Sequence, residues 1–82
     1  MAESAGADPT QTLDATGLKC PLPVLKARRA MKSLRPGDTL RILATDPGAV
    51  QDFAEFCKTT GDTLLESGEQ GDTLVFLIRK KG

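Results

Sequence analysis

Two prolines with one residue between them, Pro21 and Pro23, restrict this chain more than any other feature. They follow Cys20 and stand in front of an apolar-periodic segment over residues 24–34 that reads as an α-helix. Proline is accepted in a first helical turn because its missing N–H would have no intrahelical partner there. Pro21 also pushes Cys20 out of the α region into extended backbone, the conformation of a residue at a helix entrance. Either Pro21 or Pro23 can be the first helical residue. In both cases the sulfur lies where unsatisfied N–H groups and the positive end of the helix dipole favour an anion. Beside Lys19, such a thiol is expected to have a depressed pKa and appreciable thiolate at neutral pH. The alternative is an ordinary small residue ahead of a proline-started helix.

The helix carries its own pattern. At 100° per residue, Val24, Ala27, Ala30, Met31 and Leu34 share one face, the expected core stripe. Lys26, Arg28, Arg29, Lys32 and Arg35 cover the rest, with Leu22 and Leu25 among them. Those two leucines either form an exposed apolar patch next to the thiol or cover a loop or sheet edge.

The charges are sorted along a neutral chain of 82 residues with 11 basic and 11 acidic side chains. Residues 1–14 hold three acids and no base, residues 15–37 six bases and no acid, and residues 38–82 eight acids and five bases. The thiol and its helix are thus a basic island, suited to an acidic protein surface, an anionic substrate or RNA phosphate, or simply a solvated helix face. Three Phe with no Tyr and no Trp argue against a base-stacking platform and so against direct nucleic-acid binding. The absence of histidine removes Cys-His and Ser-His-Asp catalysis and most zinc sites, so no metal and no cofactor is expected. No apolar run reaches the length of a membrane span and no secretory signal is visible. Two cysteines in unlike settings do not suggest a disulfide scaffold, and a reducing cytoplasm is the expected location.

Residues 1–9 lack periodicity and read as a disordered tail; residues 10–82 read as one domain. A short strand is expected over 10–14, then a turn in which Gly17 relieves a tight backbone position. Pro36-Gly37 ends the first helix, and a second strand runs over 38–45. Asp46-Pro47 opens a second helix to about residue 59. Its apolar spacing puts Val50, Phe53, Ala54 and Cys57 inward and Phe56 at the margin. Cys57 is then a core residue or, alternatively, a resolving thiol for Cys20. Strands over 62–67 and 73–79 form a hairpin, the last apolar on both faces and interior to the sheet, and the ending Lys80-Lys81-Gly82 is expected to be exposed. The order β-α-β-α-β-β predicts a two-layer α/β sandwich, a four-stranded mixed sheet with two helices on one face.

With these residues in view, the chain resembles the small TusA-type, SirA-like sulfur carriers. The resemblance rests on Leu13-Asp14-Ala15-Thr16-Gly17-Leu18-Lys19-Cys20-Pro21-Leu22-Pro23, which holds a Cys-Pro-x-Pro motif, with support from Arg35-Pro36-Gly37-Asp38, Thr45-Asp46-Pro47, Phe56-Cys57 and residues 77–82. It implies a sulfurtransferase-type carrier that accepts sulfane sulfur on Cys20 as a persulfide and relays it to an acceptor protein. The donor would be a cysteine desulfurase or a rhodanese-like protein. The destination would be tRNA thiolation, molybdenum-cofactor synthesis or sulfur metabolism. Gly17, Pro21 and Pro23 would shape the motif, and Lys19, Leu22, Lys26, Arg28, Arg29 and Asp46 would form the docking surface. Many members of the tRNA pathway have an acid where this chain has Leu22, which leaves the pathway open. The chemistry needs no histidine, because transfer is thiolate attack on sulfur. The competing readings are a basic-helix nucleic-acid-binding or regulatory module and a thiol redox protein pairing Cys20 with Cys57.

Overall fold

Apolar residues on one face of the second strand and on both faces of the last demand a covered sheet, and the two amphipathic helices supply the cover. A computed structural model gives the fold of residues 9–81. The tail read over residues 1–9 lies outside the described residues except for Pro9, and Gly82 lies outside them too. The elements run β1 (Gln11–Ala15), α1 (Leu22–Met31), β2 (Thr39–Ala44), α2 (Gly48–Thr60), β3 (Thr63–Gln70) and β4 (Thr73–Arg79). Strand order is β1-β2-β4-β3, with β1 parallel to β2 and the other pairs antiparallel, so the sheet is mixed as expected. No helix among the described residues is long and apolar enough to cross a membrane.

Register explains the core. Leu40 pairs with Ile78, Ile42 with Phe76 and Ala44 with Leu74, and all six side chains are buried on one face. Against them pack Ala27, Met31 and Leu34 from the α1 segment and Ala49, Phe53, Phe56 and Cys57 from α2. β4 is interior, and Leu77 is buried even on the far face of the sheet.

The helix faces differ in part from the periodic expectation. In α1, Pro23 is buried, while Val24 and Ala30 are only partly so. In α2 the stripe is turned by about one residue. Ala49 and Phe56 go inward, whereas Val50 is 46% exposed and Ala54 is on the surface. The large Phe56 ring gains more from burial than Val50 or Ala54 would, and its edge meets Phe53 at a centroid distance of 6.4 Å. The α1 helix also stops at Met31 rather than Leu34; the following turn is tightened by i→i+3 bonds such as Leu34 N–H to the Met31 carbonyl, 3.1 Å. β3 reaches Gln70, three residues beyond the expected strand, with a register shift between Leu64 and Glu66.

Lys80, expected in solvent, is half-buried. Its Nζ donates to the carbonyls of Met31 (2.8 Å) and Leu34 (2.6 Å) at the end of the α1 segment, the first of which also accepts the Leu34 N–H. Its backbone N–H also donates to the Asp38 carbonyl at 2.8 Å. A Lys80→Met variant keeps the aliphatic stem and loses both charged bonds. We expect it to lose about 1–3 kcal/mol of unfolding free energy in urea titration, through a lower midpoint at unchanged m-value.

Candidate functional site

Because β1 and β2 are parallel neighbours, their C-terminal ends lie side by side, and each is followed by a loop that opens a helix. Ligand sites in α/β sheets gather at such ends. The two loops are stitched together. Gly17, at φ +80°, donates its N–H to Thr45 Oγ1 at 2.8 Å. That φ is the left-handed backbone expected of glycine at this turn. Three residues on, the Cys20 N–H donates to Asp46 Oδ2 at 2.5 Å, while Asp46 Oδ1 accepts from the Gly48 N–H at 3.3 Å. Asp46 therefore joins the loop before α1 to the first turn of α2.

Neither proline is the first helical residue. Pro21 is the N-cap, Leu22 begins α1, and Pro23 follows at the second helical position. The Leu22 N–H donates back to the Lys19 carbonyl at 2.8 Å, closing a turn around Cys20. Cys20 is exposed and free. Its thiol donates to Asp52 Oδ2. Gly48 and Asp52, four residues apart, share one face of α2, and that face is turned to the sulfur. A Cβ placed on Gly48 would stand 3.2 Å from Cys20 Cβ and 3.5 Å from its Sγ. Glycine there lets the cysteine side chain lie against α2.

These contacts overturn the expected electrostatics. The hydrogen bond to Asp52, some desolvation, and then the charges of Asp52 and Asp46 push the Cys20 thiol above its ordinary value, not below it. Lys19 acts instead on Asp46, as the smaller of the influences that hold this carboxyl down; the N–H donors of Cys20 and Gly48 come first. Cys57 is 7% exposed and packed in the core. Burial, followed by the charge of Asp62, raises its thiol to about 11.

The remaining sequence candidates line two grooves on the surface. Leu22 and Leu25 are 48% and 52% exposed, and line a shallow groove with Leu18, Lys26 and Arg29. Lys26 Nζ also donates to the Asp14 carbonyl at 3.2 Å. Arg28 faces a second groove, between the helices, that includes Pro21, Asp52, Glu55 and Phe56; its guanidinium lies 5.6 Å from the centre of the Phe56 ring. Sequence reasoning missed Asp52, Thr45 and Gly48. The signal for the first and last was their i, i+4 spacing behind Asp46-Pro47.

Residues 11–80 match the family described as Sulfurtransferase TusA. The chain is 50% identical over 74 residues to a sulfur carrier protein TusA of Allochromatium vinosum, covering 90% of this chain and 97% of that one. It is 44% identical over 69 residues to a sulfur carrier protein TusA of Pseudomonas aeruginosa, covering 84% and 87%. A crystal structure of a SirA-like protein from Desulfitobacterium hafniense has the same fold, with a TM-score of 0.77 over 89% of this chain and all of the other at 23% identity. With an exposed thiol held where two helices begin, and relatives this near over almost their whole length, the chain belongs to the TusA family and is a sulfur carrier.

Proposed function

We propose that Cys20 carries the sulfur, as a persulfide formed by transfer from a cysteine desulfurase or a rhodanese-like donor and passed on to an acceptor protein. The observation that carries this reading is the contrast between the two sulfurs: Cys20 is exposed between the openings of two helices, and Cys57 is in the core. Loading forms one S–S bond at Sγ and breaks one in the donor, with no net oxidation. The carrier works inside the cytoplasm, and the sulfur goes to tRNA thiolation, molybdenum-cofactor synthesis or sulfur metabolism. Gly17, Pro21 and Pro23 shape the loop around the sulfur. After incubation with a cysteine desulfurase and cysteine, the Cys20 peptide gains about 32 Da, one sulfur atom, lost again on reduction. A chain that stays at its original mass refutes the assignment.

Docking falls to the exposed surface beside the sulfur: Leu22 and Leu25 as apolar contacts, with Lys19, Lys26, Arg28 and Arg29 as charges that steer an acidic partner. Asp46 borders this surface while it braces the loop. Arg29→Glu is the cleaner reversal, because Arg28 also stacks on Phe56. Its expected effect is a roughly tenfold slower handover at low salt, narrowing as salt rises, with thermal stability unchanged. Salt-independent kinetics equal to wild type would remove the steering role.

A further inference from the structure

The carboxylate that faces the sulfur has no place in a scheme where the helix dipole and Lys19 ready a thiolate. Asp52 is half-buried on α2, one turn after Gly48, and accepts the hydrogen bond of the Cys20 thiol. Asp46, from the loop before α2, holds the Cys20 backbone N–H and adds a second negative charge. Lys19, next to Cys20 in its own loop, acts on Asp46. An acceptor-only carboxylate can bond this sulfur while the sulfur bears a proton, and repels it otherwise.

We propose that Asp52 is a latch on the carrier sulfur: its carboxylate holds the empty Cys20 as a thiol laid against α2, and addition of the second sulfur removes the proton on which that hold depends. The proposal rests on Cys20 being the loaded residue. In loading, Cys20–SH and a donor persulfide R–S–SH become Cys20–S–SH and R–SH. The thiol proton leaves Sγ, the freed electron pair forms the bond to the outer sulfur, the donor S–S bond breaks, and its pair stays on R–S⁻, which takes up a proton. Sγ is then bonded to Cβ and to sulfur, with no hydrogen to donate. The S–H to Asp52 bond is therefore a property of the empty carrier alone. The terminal sulfur, more acidic than a thiol, is pushed away from Asp52 and Asp46 toward solvent. Empty and loaded carriers thus present different faces to a partner, and the empty one resists stray electrophiles.

The test is the pH profile of iodoacetamide alkylation at Cys20 in the full chain, for wild type and Asp52→Asn, with a circular dichroism spectrum of each. The asparagine keeps the shape and gives the thiolate an N–H donor in place of a charge. We expect the asparagine profile to rise at lower pH, and alkylation at pH ~7.5 to be roughly threefold faster or more, the gain in thiolate being partly offset by its lower intrinsic nucleophilicity. Superimposable profiles from two folded proteins overturn the latch. Should the variant not fold, the wild type still decides: the Asp52 carboxyl carbon must shift in NMR as Cys20 titrates and again on loading, and must not do so in Cys20→Ser. An unmoved carbon overturns the proposal. Absence of the one-sulfur mass gain on Cys20 would instead sink the persulfide assignment, and leaves the alkylation comparison standing.

Discussion

Replacing Cys20 by serine will abolish sulfur loading, while replacing Cys57 by serine will leave the one-sulfur mass gain in place. Both cysteines are free, and a desulfurase presents the same sulfane sulfur to each. They differ in reach: Cys20 is exposed and Cys57 is in the core. An attacking sulfur must meet the donor's outer sulfur in line, which an exposed residue beside the opening of a helix can do and a core residue 7% exposed cannot. Burial also holds the Cys57 thiol at about 11, leaving little thiolate at neutral pH. Cys57→Ser should instead cost stability, about 1–3 kcal/mol, because a hydroxyl replaces sulfur among Phe53, Phe56 and their neighbours. The measurement is intact mass after desulfurase treatment, followed by peptide mapping. Loading of Cys20→Ser at the wild-type level would move the assignment to Cys57 and revive a redox or relay role for the pair.

The difference between the two sulfurs is legible in the sequence. Cys57 falls in an apolar series of α2, although Val50 and Ala54 of that series are exposed, and Cys20 stands before a helix with a proline in its first turn; periodicity and backbone sterics pointed to both settings. Part of the sheet was legible for the same reason, since two apolar faces mark β4 as interior; the order β1-β2-β4-β3 was not, because it depends on contacts between distant strands. Two further kinds of fact were not. The exact phase of α2 depended on which of Val50 and Phe56 sits at the stripe's edge, and that is decided by how the rings pack on Phe76, 4.7 Å from Phe53 between centroids. The charge state of Cys20 depended on a residue 32 positions away in sequence. Local reasoning saw the helix opening and Lys19 and inferred a ready anion. The fold brings Asp46 and Asp52 to the same sulfur, and charges at hydrogen-bond distance outweigh a dipole end worth about 0.3–1 kcal/mol.

The largest effect on stability is expected at Phe53, which also ties the core to the site. Phe53 is fully buried, stacked at 36° on Phe76 and edge-on to Phe56. It is the residue after Asp52, so the packing of its ring sets where α2 presents that carboxylate. Phe53→Ala removes a ring that neighbouring strands are too constrained to replace, at a cost of about 3–5 kcal/mol. A domain of 82 residues has a total stability of about 4–12 kcal/mol. The variant should therefore lose a large share of its folding free energy, with a urea midpoint reduced by roughly half. The functional consequence follows from position. As α2 loosens, Asp46 and Asp52 lose their fixed approach to Cys20, and iodoacetamide alkylation of the folded fraction should begin at lower pH than in wild type. Leu65→Ala provides the comparison: that side chain is 43% exposed on the edge strand β3, and its removal should cost less than about 1 kcal/mol and leave the alkylation profile where it was. Equal midpoints for the two variants would mean that Phe53 is not the keystone of this core, and an unchanged alkylation profile in a destabilised Phe53→Ala would separate the hold on Cys20 from the packing of α2.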